Sequence, residues 1–374
     1  MRMLVGSLAL AASFVHAAGH PGQVQTLYTT PAHQRIDAFA QDDGLVAWFT
    51  PGRAKACNAV WVWELGSVKQ QLPAQGSAYH NVTCTWQVPP TSPVELAVAS
   101  NGGSPALMWT LHESASQAVK FDYVLGATVA DPRERRFQEV AHASNGAGLW
   151  LGGLAADQGT LVYSVAQVQY KDQVACLSTP TAPGACDFEV TGGGIYRVVG
   201  RKQPTLVHGA PPAVEVAASG NDVAYVAASD ADASGRPLAS PDAPVEVRDA
   251  RTGTLVASVT PPGTPLAIGL SGSVLALLSR SSGGVALNWY DVHTGDSSGS
   301  VVAPAQTSPS LSVGDTAIVF RVGRSIRAAE LSTGKVQAVA KASSTPLGLS
   351  VAGSRVAWAE NVGGRGRIRA VTLP

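Results

Sequence analysis

Short runs in which apolar and polar residues alternate make up most of the chain, and Gly, Pro, Ser or Asn residues separate these runs. An alternation with a period of two is the pattern of a β-strand that buries one face. No long stretch repeats its apolar residues about every 3.6 positions, as an amphipathic helix would. The pattern therefore predicts an all-β protein.

The C-terminal third contains a repeat of this strand pattern. Four stretches each read as strand, tight turn, strand, loop, strand, turn, strand, and they cover residues 216–258, 266–301, 311–339 and 347–373. The first turn of each contains a glycine, and these glycines are 52, 42 and 39 residues apart: Gly220, Gly272, Gly314 and Gly353. This is the spacing of a four-stranded propeller blade.

A second turn recurs in three of these stretches. It begins at Asp249, Asp291 or Glu330 and reads acid, two residues, Thr, Gly. The glycine can take the left-handed backbone angle that closes a short hairpin, and the acid and the threonine can bind free turn amides. We interpret these acids as structural turn residues and not as catalytic groups.

The N-terminal half fits the same template. Residues 36–72 predict one blade, residues 94–141 a second and residues 149–208 a third. The last repeat lacks its outer strand, whereas residues 22–28 form an orphan strand that resembles the outer strand at 334–339. Joining the two would cover exposed sheet edges.

The repeats together predict a seven-bladed β-propeller of four-stranded antiparallel blades. The chain ends would share one blade, because the N-terminal strand would join the C-terminal sheet. The expected blades lie at about 35–75, 92–142, 147–208, 212–260, 264–304, 308–342 and 345–374, the last completed by residues 22–29.

At these repeats the chain resembles the superfamily of secreted bacterial β-propellers with TolB-like, WD-like or quinoprotein-like repeats. The acid-x-x-Thr-Gly turns at Asp249, Asp291 and Glu330 are similar to those of quinoprotein repeats. The resemblance covers nearly the whole chain after the first residues. It implies the propeller fold and identifies no single protein.

The composition argues against a nucleic-acid-binding protein and against a disordered chain. The chain has 374 residues, with 26 basic and 26 acidic side chains, so it has no surplus positive charge for binding the phosphates of a nucleic acid. Its apolar content of 45% is enough for a core, which argues against charge-driven disorder. We predict one folded domain over residues 18–374.

The first residues predict an export signal. Arg2 precedes an apolar run over residues 4–15, and Val15, His16 and Ala17 form a small-x-small cleavage site. The run is too short to span a bilayer, and no later run is long enough to do so. Residues 1–17 are therefore predicted to be a signal peptide of a secreted or periplasmic protein. The alternative is a buried N-terminal strand or helix.

Export makes the four cysteines candidates for disulfides. We pair Cys176 with Cys186 and Cys57 with Cys84, because this one of the three possible connectivities closes the shortest loops. A zinc site is the alternative, but no Cys-x-x-Cys pair occurs.

Three insertions interrupt the repeats, at 73–93, 166–193 and 229–244, and all map to the same predicted face of the ring. Elaborated loops on a rigid scaffold are where binding usually resides. Five histidines map to this face, and Trp86 lies within an insertion. The candidate ligand-binding residues are thus Trp86, His33, His80, His112, His142 and His208.

One insertion also resembles the start of a calcium loop. Asp230, Asp232 and Ser234 provide oxygens at alternate positions, and Gly235 follows for the turn. The twelfth position is Pro241, where such loops carry a glutamate. Calcium is the one cofactor that the sequence suggests, and a solvated polar loop is the alternative.

These features predict a non-enzymatic binding or protein-interaction module. Its insertion-bearing face would engage an unknown protein, peptide or glycan, and we predict a monomer that binds no nucleic acid. No motif assigns a catalytic residue. Two alternatives are a metal- or His-dependent lyase or hydrolase acting at the mouth of the channel, and a structural part of the cell envelope.

Overall fold

The computed structural model describes residues 22–42, 44–52, 58–64, 67–72, 95–100, 106–114, 119–128, 131, 135–143, 145–180, 182–200 and 202–373. The side chains of residues 64, 67–72, 106 and 111–114 are not described. The predicted signal peptide, Cys57, His80, Cys84 and Trp86 lie outside the described residues, as does the side chain of His112.

The described residues contain five four-stranded antiparallel sheets. The first contains β2 (Ala38–Asp42), β3 (Leu45–Thr50), β4 (Ala59–Glu64) and β5 (Ser67–Leu72) in that order. A later one contains β14 (Ala213–Ser219), β15 (Asp222–Ala227), β18 (Val245–Asp249) and β19 (Leu255–Val259). Between β15 and β18, β16 (Asp230–Ala231) and β17 (Pro237–Leu238) form a separate hairpin.

Two further four-stranded sheets follow in chain order. One contains β20 (Thr264–Ser271), β21 (Val274–Ser281), β22 (Gly284–Asp291) and β23 (Ser297–Ala303). The other contains β24 (Thr307–Val313), β25 (Ala317–Val322), β26 (Ser325–Glu330) and β27 (Val336–Lys341). Each is a meander in which sequential neighbours pair, as the strand-turn-strand pattern predicts.

The last four-stranded sheet contains strands from both ends of the chain. Its strands are β28 (Leu347–Ala352), β29 (Arg355–Val362), β30 (Arg365–Thr372) and β1 (Gln25–Thr29). β1 pairs antiparallel with β30, so that Gln25 lies opposite Ala370. The C-terminal strand therefore has no free outer edge over this stretch.

The remaining strands form one eight-stranded sheet, whereas the sequence predicts two separate blades here. Its members are β6 (Leu96–Ala99), β7 (Ala106–Ser114), β8 (Val119–Thr128), β9 (Arg135–Ala143), β10 (Gly148–Asp157), β11 (Thr160–Tyr170), β12 (Phe188–Val199) and β13 (Thr205–Leu206). Gly148 opposite His142 is the one residue pair that joins β9 to β10. The two halves merge because β10 extends back to reach the end of β9.

Seven clusters of buried apolar side chains lie between successive groups of four strands in the described part of the chain. One lies between the two halves of the eight-stranded sheet. Another joins the first group to the last, and it packs Ile36 and Trp48 against Ala357 and Ile368. The core is thus divided among the faces of neighbouring sheets, which is why each strand needs apolar residues on both faces.

One position in the repeat supplies the largest core residues. The fourth residue of the second strand in each group is at most 1% exposed. These residues are Trp48, Trp109, Tyr163, Tyr225, Leu277, Phe320 and Trp358. Each belongs to a different one of the seven clusters. A bulky residue recurs here because each sheet must fill the same gap against its neighbour.

The acid-x-x-Thr-Gly turns have the structural role that the sequence predicts. Oδ1 of Asp249 accepts hydrogen bonds from the amides of Arg251 and Thr252, at 2.8 and 2.9 Å. The Gly253 amide donates to the Asp249 carbonyl oxygen at 2.7 Å, and Gly253 has a φ of 75°. Loss of hydration opposes them, but these hydrogen bonds and the charge of Arg251 together lower the pKa of Asp249.

Candidate functional site

The insertion after β11 is a short helix held by a disulfide. β11 and β12 extend to Tyr170 and Phe188, whose rings stack with centroids 4.6 Å apart. Beyond them α1 (Gln173–Ser178) begins, and the Asp172 carboxylate caps it by accepting from the Ala175 amide at 2.8 Å. A helix of this length is unstable alone. It therefore depends on the disulfide and on the stacked rings of Tyr170 and Phe188 at its base.

The Cys176–Cys186 disulfide is confirmed. It closes the loop that carries α1, and the Lys171 amide donates to the Asp187 carbonyl oxygen at 2.8 Å below it. Val174 and Leu177, on α1, are each 76% exposed. The insertion therefore presents two large apolar side chains to solvent on a rigid support.

The second insertion is the hairpin of β16 and β17. Oδ1 of Asp232 accepts from the amides of Ser234 and Arg236 and from the Ser234 hydroxyl, at 2.8, 3.0 and 2.6 Å. These bonds lower the pKa of Asp232, although partial burial opposes them. Oδ1 of Asp230 lies 3.5 Å from Nζ of Lys171. This ion pair links the hairpin to the disulfide-bonded insertion.

The same hairpin touches the loop between β9 and β10. A Cβ on Gly146 would lie 2.2 Å from the carbonyl oxygen of Ser234, and one on Gly235 would lie 2.3 Å from that of Gly146. Only glycine permits so close an approach of two backbones. The three connections form one surface, which we call the insertion face: residues 145–147, 171–180, 182–187 and 229–244.

The histidines predicted to bind a ligand lie on separate elements, as far as the structure describes them. His33 is exposed beside the N-terminal strand and has a φ of 64°. His142 is buried behind the insertion face. His208 is exposed at the end of the eight-stranded sheet, and a Cβ on Gly253 would come within 2.3 Å of its carbonyl oxygen. This contact places His208 beside an acid-x-x-Thr-Gly turn and not on the insertion face, because these turns lie at the opposite ends of the strands.

No group of three or more His, Cys, Asp or Glu residues suited to a metal occurs among the residues that the structure describes. Calcium at Asp230, Asp232 and Ser234 stays a prediction. Oδ1 of Asp232 already accepts from the Ser234 hydroxyl and from the Ser234 amide. A calcium ion would have to compete with these hydrogen bonds. No helix in the described ranges is long and apolar enough to cross a membrane.

A central cavity lies at the other end of the strands. It has a volume of about 730 Å³, and the first strand of every group contributes to its wall. The charged residues of its lining are Asp42, Asp157 and Asp315. These residues belong to no sequence motif, because each ends a strand or sits in a turn like many other acids.

Two of these acids hold neighbouring sheets together. Oδ2 of Asp42 accepts from the Ser100 amide at 2.6 Å, and Oδ2 of Asp157 accepts from the Gly220 amide at 2.5 Å. Such bonds to a charged acceptor are stronger than neutral ones. Burial nevertheless raises the pKa of Asp157. The cavity rim is thus a ring of contacts between sheets, and these acids have a structural role.

Glu215, near the hairpin insertion, has a raised pKa. Its side chain is exposed on β14, yet the surrounding protein displaces enough of its hydration to raise its pKa to about 7, while the positive charge of Arg236 lowers it. A raised pKa means that the folded protein holds this proton more tightly than the unfolded chain does. The stability that Glu215 contributes is complete below its ordinary pKa and is lost as the pH rises through about 7.

We therefore expect Glu215→Gln to raise Tm at about pH 8 and to leave it almost unchanged at about pH 4.5. The measurement is thermal unfolding at both pH values. Glu189→Gln is the matched control, because the partly exposed Glu189 carboxylate makes one weak hydrogen bond, which it accepts from Nε2 of Gln169 at 3.4 Å. A lower Tm for Glu215→Gln at the higher pH would contradict the assignment.

No known family profile matches the sequence, and no curated protein matches it either. Solved structures resemble the fold. A chain of the mitotic checkpoint complex has a TM-score of 0.50 and 13% identity over 100% of this chain and 99% of its own. The acylaminoacyl peptidase of Pyrococcus horikoshii has a TM-score of 0.51 and 11% identity over 87% of this chain and 49% of its own.

A mutant puromycin hydrolase is similar to the same degree, with a TM-score of 0.51 and 12% identity over 87% of this chain and 50% of its own. The chain thus spans about half the length of these two hydrolases. At such low identity the likeness concerns the fold alone. Together with the four-stranded antiparallel sheets, it defines the protein as an all-β propeller.

Proposed function

We propose that the propeller is a closed ring of seven blades, with the eight-stranded sheet counted as two. The seven interfaces between neighbouring groups of strands support this count, since one of them joins the first group to the last. The recurrence of one bulky core residue in each group also supports it.

Hydrogen bonds across the junction of the chain ends support the closed ring. Oδ1 of Asn361 accepts from the Ile36 amide at 2.9 Å, and its Nδ2 donates to the Ile36 carbonyl oxygen at 2.8 Å. The Thr30 hydroxyl accepts from the Gly366 amide at 2.8 Å. A side chain that satisfies both backbone groups of one residue is a specific contact and not a chance one.

We propose that the protein is an exported binding module that engages a protein, peptide or envelope glycan through the insertion face. The observation that carries the proposal is the exposure of Val174 and Leu177 on a disulfide-bonded support. Large apolar side chains held in a fixed position on the surface are typical of interaction sites. The ion pair between Lys171 and Asp230 joins both insertions into one surface for a partner.

Export is part of this proposal. The disulfide between Cys176 and Cys186 supports it, because such bonds persist in oxidising compartments and are rare in the cytosol. The short apolar segment at residues 4–15 and its cleavage site are the sequence features that support it.

The binding proposal is tested with the double variant Val174→Glu and Leu177→Glu. Two charges at the centre of an apolar contact should reduce partner binding about 100-fold, as the loss of a central interface residue does. The measurement is crosslinking of the purified protein to envelope and culture-medium fractions, followed by mass spectrometry of the captured partners.

Val302→Glu is the matched control. Val302 is 87% exposed on β23, so it receives the same charge on a surface far along the chain from the insertions. A partner captured by the wild type and the control but lost from the double variant supports the proposal. Equal capture by all three proteins would refute it.

A further inference from the structure

A buried histidine and aspartate lie directly behind the insertion face. His142 and Asp122 are each 5% exposed, and Nε2 of His142 is 3.3 Å from Oδ2 of Asp122. Nδ1 of His142 is buried and has no hydrogen-bond partner among the described residues. Removing a polar group from water is costly, so a buried imidazole nitrogen without a hydrogen bond is rare in a core.

Three contacts connect this pair to the surface. The His142 ring stacks on Trp150 with centroids 4.1 Å apart, and the Trp150 indole N–H donates to the Gly146 carbonyl oxygen at 2.7 Å. Gly146 in turn packs closely against Ser234 and Gly235 of the hairpin. His142 also forms the one residue pair that joins β9 to β10.

The charged and titratable groups around His142 can be named for each neighbouring element. On β8 they are Asp122, Tyr123 and Lys120, and Lys120 lies directly opposite His142. On β7, the register places His112 opposite Asp122. β9 itself carries Arg135, Arg136 and Glu139. From Gly148 to Ala156, β10 contains no titratable residue. Across Gly146 the hairpin carries Asp230, Asp232 and Arg236, and Asp230 is paired with Lys171.

Proton uptake changes what the Nδ1 atom requires. In the neutral ring bound to Asp122 through Nε2, Nδ1 is an acceptor, and leaving a neutral acceptor empty costs less than leaving a charged donor unpaired. After proton uptake it becomes a charged donor, and leaving such a donor unpaired in the core costs much more. The adjacent loop has carbonyl oxygens, but Trp150 binds that of Gly146 and the Ala143 amide binds that of Ala147, at 2.7 Å.

We propose that His142 is a proton-responsive switch whose protonation loosens the 145–147 loop and the β16–β17 hairpin. The new donor takes a loop carbonyl from its present partner, and the contact between Gly146 and the hairpin opens. Proton uptake and the conformation of the insertion face are then linked in both directions. The biological meaning of the switch rests on the proposed binding at this face, but the movement itself needs no partner.

Hydrogen–deuterium exchange tests the switch on the purified protein alone. The wild type is compared with His142→Gln at about pH 5.5 and about pH 8, a range in which imidazole changes its charge. Peptides covering 145–147 and 229–238 should exchange about fivefold faster in the wild type at the lower pH, and equally at the higher pH. Peptides from β20 to β23 should not differ.

Fluorescence gives a second signal. A protonated imidazole over an indole is a cation–π contact, so the emission of Trp150 should change with pH. The difference between the wild type and Trp150→Phe isolates this signal, and His142→Gln should abolish it. The same pH response in His142→Gln as in the wild type would overturn the proposal, whichever method shows it.

Asp122→Asn replaces His142→Gln if the latter fails to fold. It retains the imidazole and removes the charge that favours its protonated form, so the exchange and emission changes should move to lower pH. Unchanged transitions in that variant would also overturn the proposal. Because no partner enters these experiments, a failure of the proposed binding leaves their results unaffected.

Discussion

Trp358→Ala is expected to lower the free energy of unfolding by about 3–5 kcal/mol. Trp358 is 1% exposed and lies in the cluster that joins the sheet of β24–β27 to that of β28–β30, together with Val319, Val351 and Val371. Truncation to Ala removes buried apolar surface and leaves a cavity between the two sheets. The cavity cannot collapse fully, because each of the two sheets also packs against another neighbour. Urea unfolding followed by circular dichroism measures the loss.

Two controls separate the lost packing from the substitution itself. Val302→Ala removes an apolar side chain that is 87% exposed, and it should change stability by no more than about 0.5 kcal/mol. Trp358→Phe should retain most of the stability, because Phe320 occupies the same position in the neighbouring sheet. The Trp358 indole N–H has no partner in the described part of the chain, so Phe sacrifices no bond there. A loss below about 1 kcal/mol for Trp358→Ala would contradict this core assignment.

Glu360→Gln is expected to cost about 2 kcal/mol, because it weakens the charge-assisted hydrogen bonds that a fully buried carboxylate accepts and leaves the partly exposed Arg369 without its partner. Glu360 is fully buried, and its carboxylate accepts from Nη1 of Arg369 at 3.2 Å and from the Ser343 amide at 2.7 Å. Nε of Arg369 donates to the carbonyl oxygen of Gln25 on the N-terminal strand at 3.3 Å. Because Glu360 positions Arg369, the substitution should also weaken the hydrogen bond between Arg369 and β1.

The ring-closure proposal makes this second effect measurable. Hydrogen exchange at residues 25–29 should accelerate more than exchange in β20–β23, since β1 is held by its pairing with β30. Lys171→Ala, which breaks a pair that is 47% and 54% exposed, should cost at most about 0.5 kcal/mol. Glu360→Gln with no loss of stability and no faster exchange in β1 would argue against this role.

Much of the fold could be predicted from local patterns. The strand pairs around Gly220, Gly272 and Gly353 follow from alternation on either side of a turn, and the acid-x-x-Thr-Gly turns close as expected. The disulfide between Cys176 and Cys186 was predictable because Pro and Gly residues between them turn the chain back. All of these features depend on residues that are close in sequence.

Other features were less accurately predicted because strands extend where neighbours allow. The stretch 166–193 was predicted to be an insertion, yet β11 runs to Tyr170 and β12 starts at Phe188, so much of it is strand. Three consecutive glycines, Gly192 to Gly194, hid this strand, since glycine is usually a turn signal. The joining of β9 to β10 likewise depended on where two strands happen to meet.

One sequence signal of the core was missed. The segments Leu45–Trp48, Ala106–Trp109 and Arg355–Trp358 share a bulky fourth residue, and the other groups carry Tyr, Leu or Phe there. An alignment on this residue counts the repeats in the N-terminal half as well as in the C-terminal half. This recurring position is hidden in a comparison of residue identities, because it is occupied by Trp, Tyr, Phe or Leu, although each of these side chains fills the same gap.

By itself the sequence determined the strands, the tight turns, the repeat and the short-range disulfide, since a period of two and a glycine with positive φ act over a few residues. Only the tertiary structure decided that His142 meets Asp122 and Trp150, that Gly146 meets the hairpin, and that Asp42 and Asp157 fasten neighbouring sheets. These contacts join side chains from different strands and different sheets, and their distances depend on how sheets twist and pack, which no local pattern encodes.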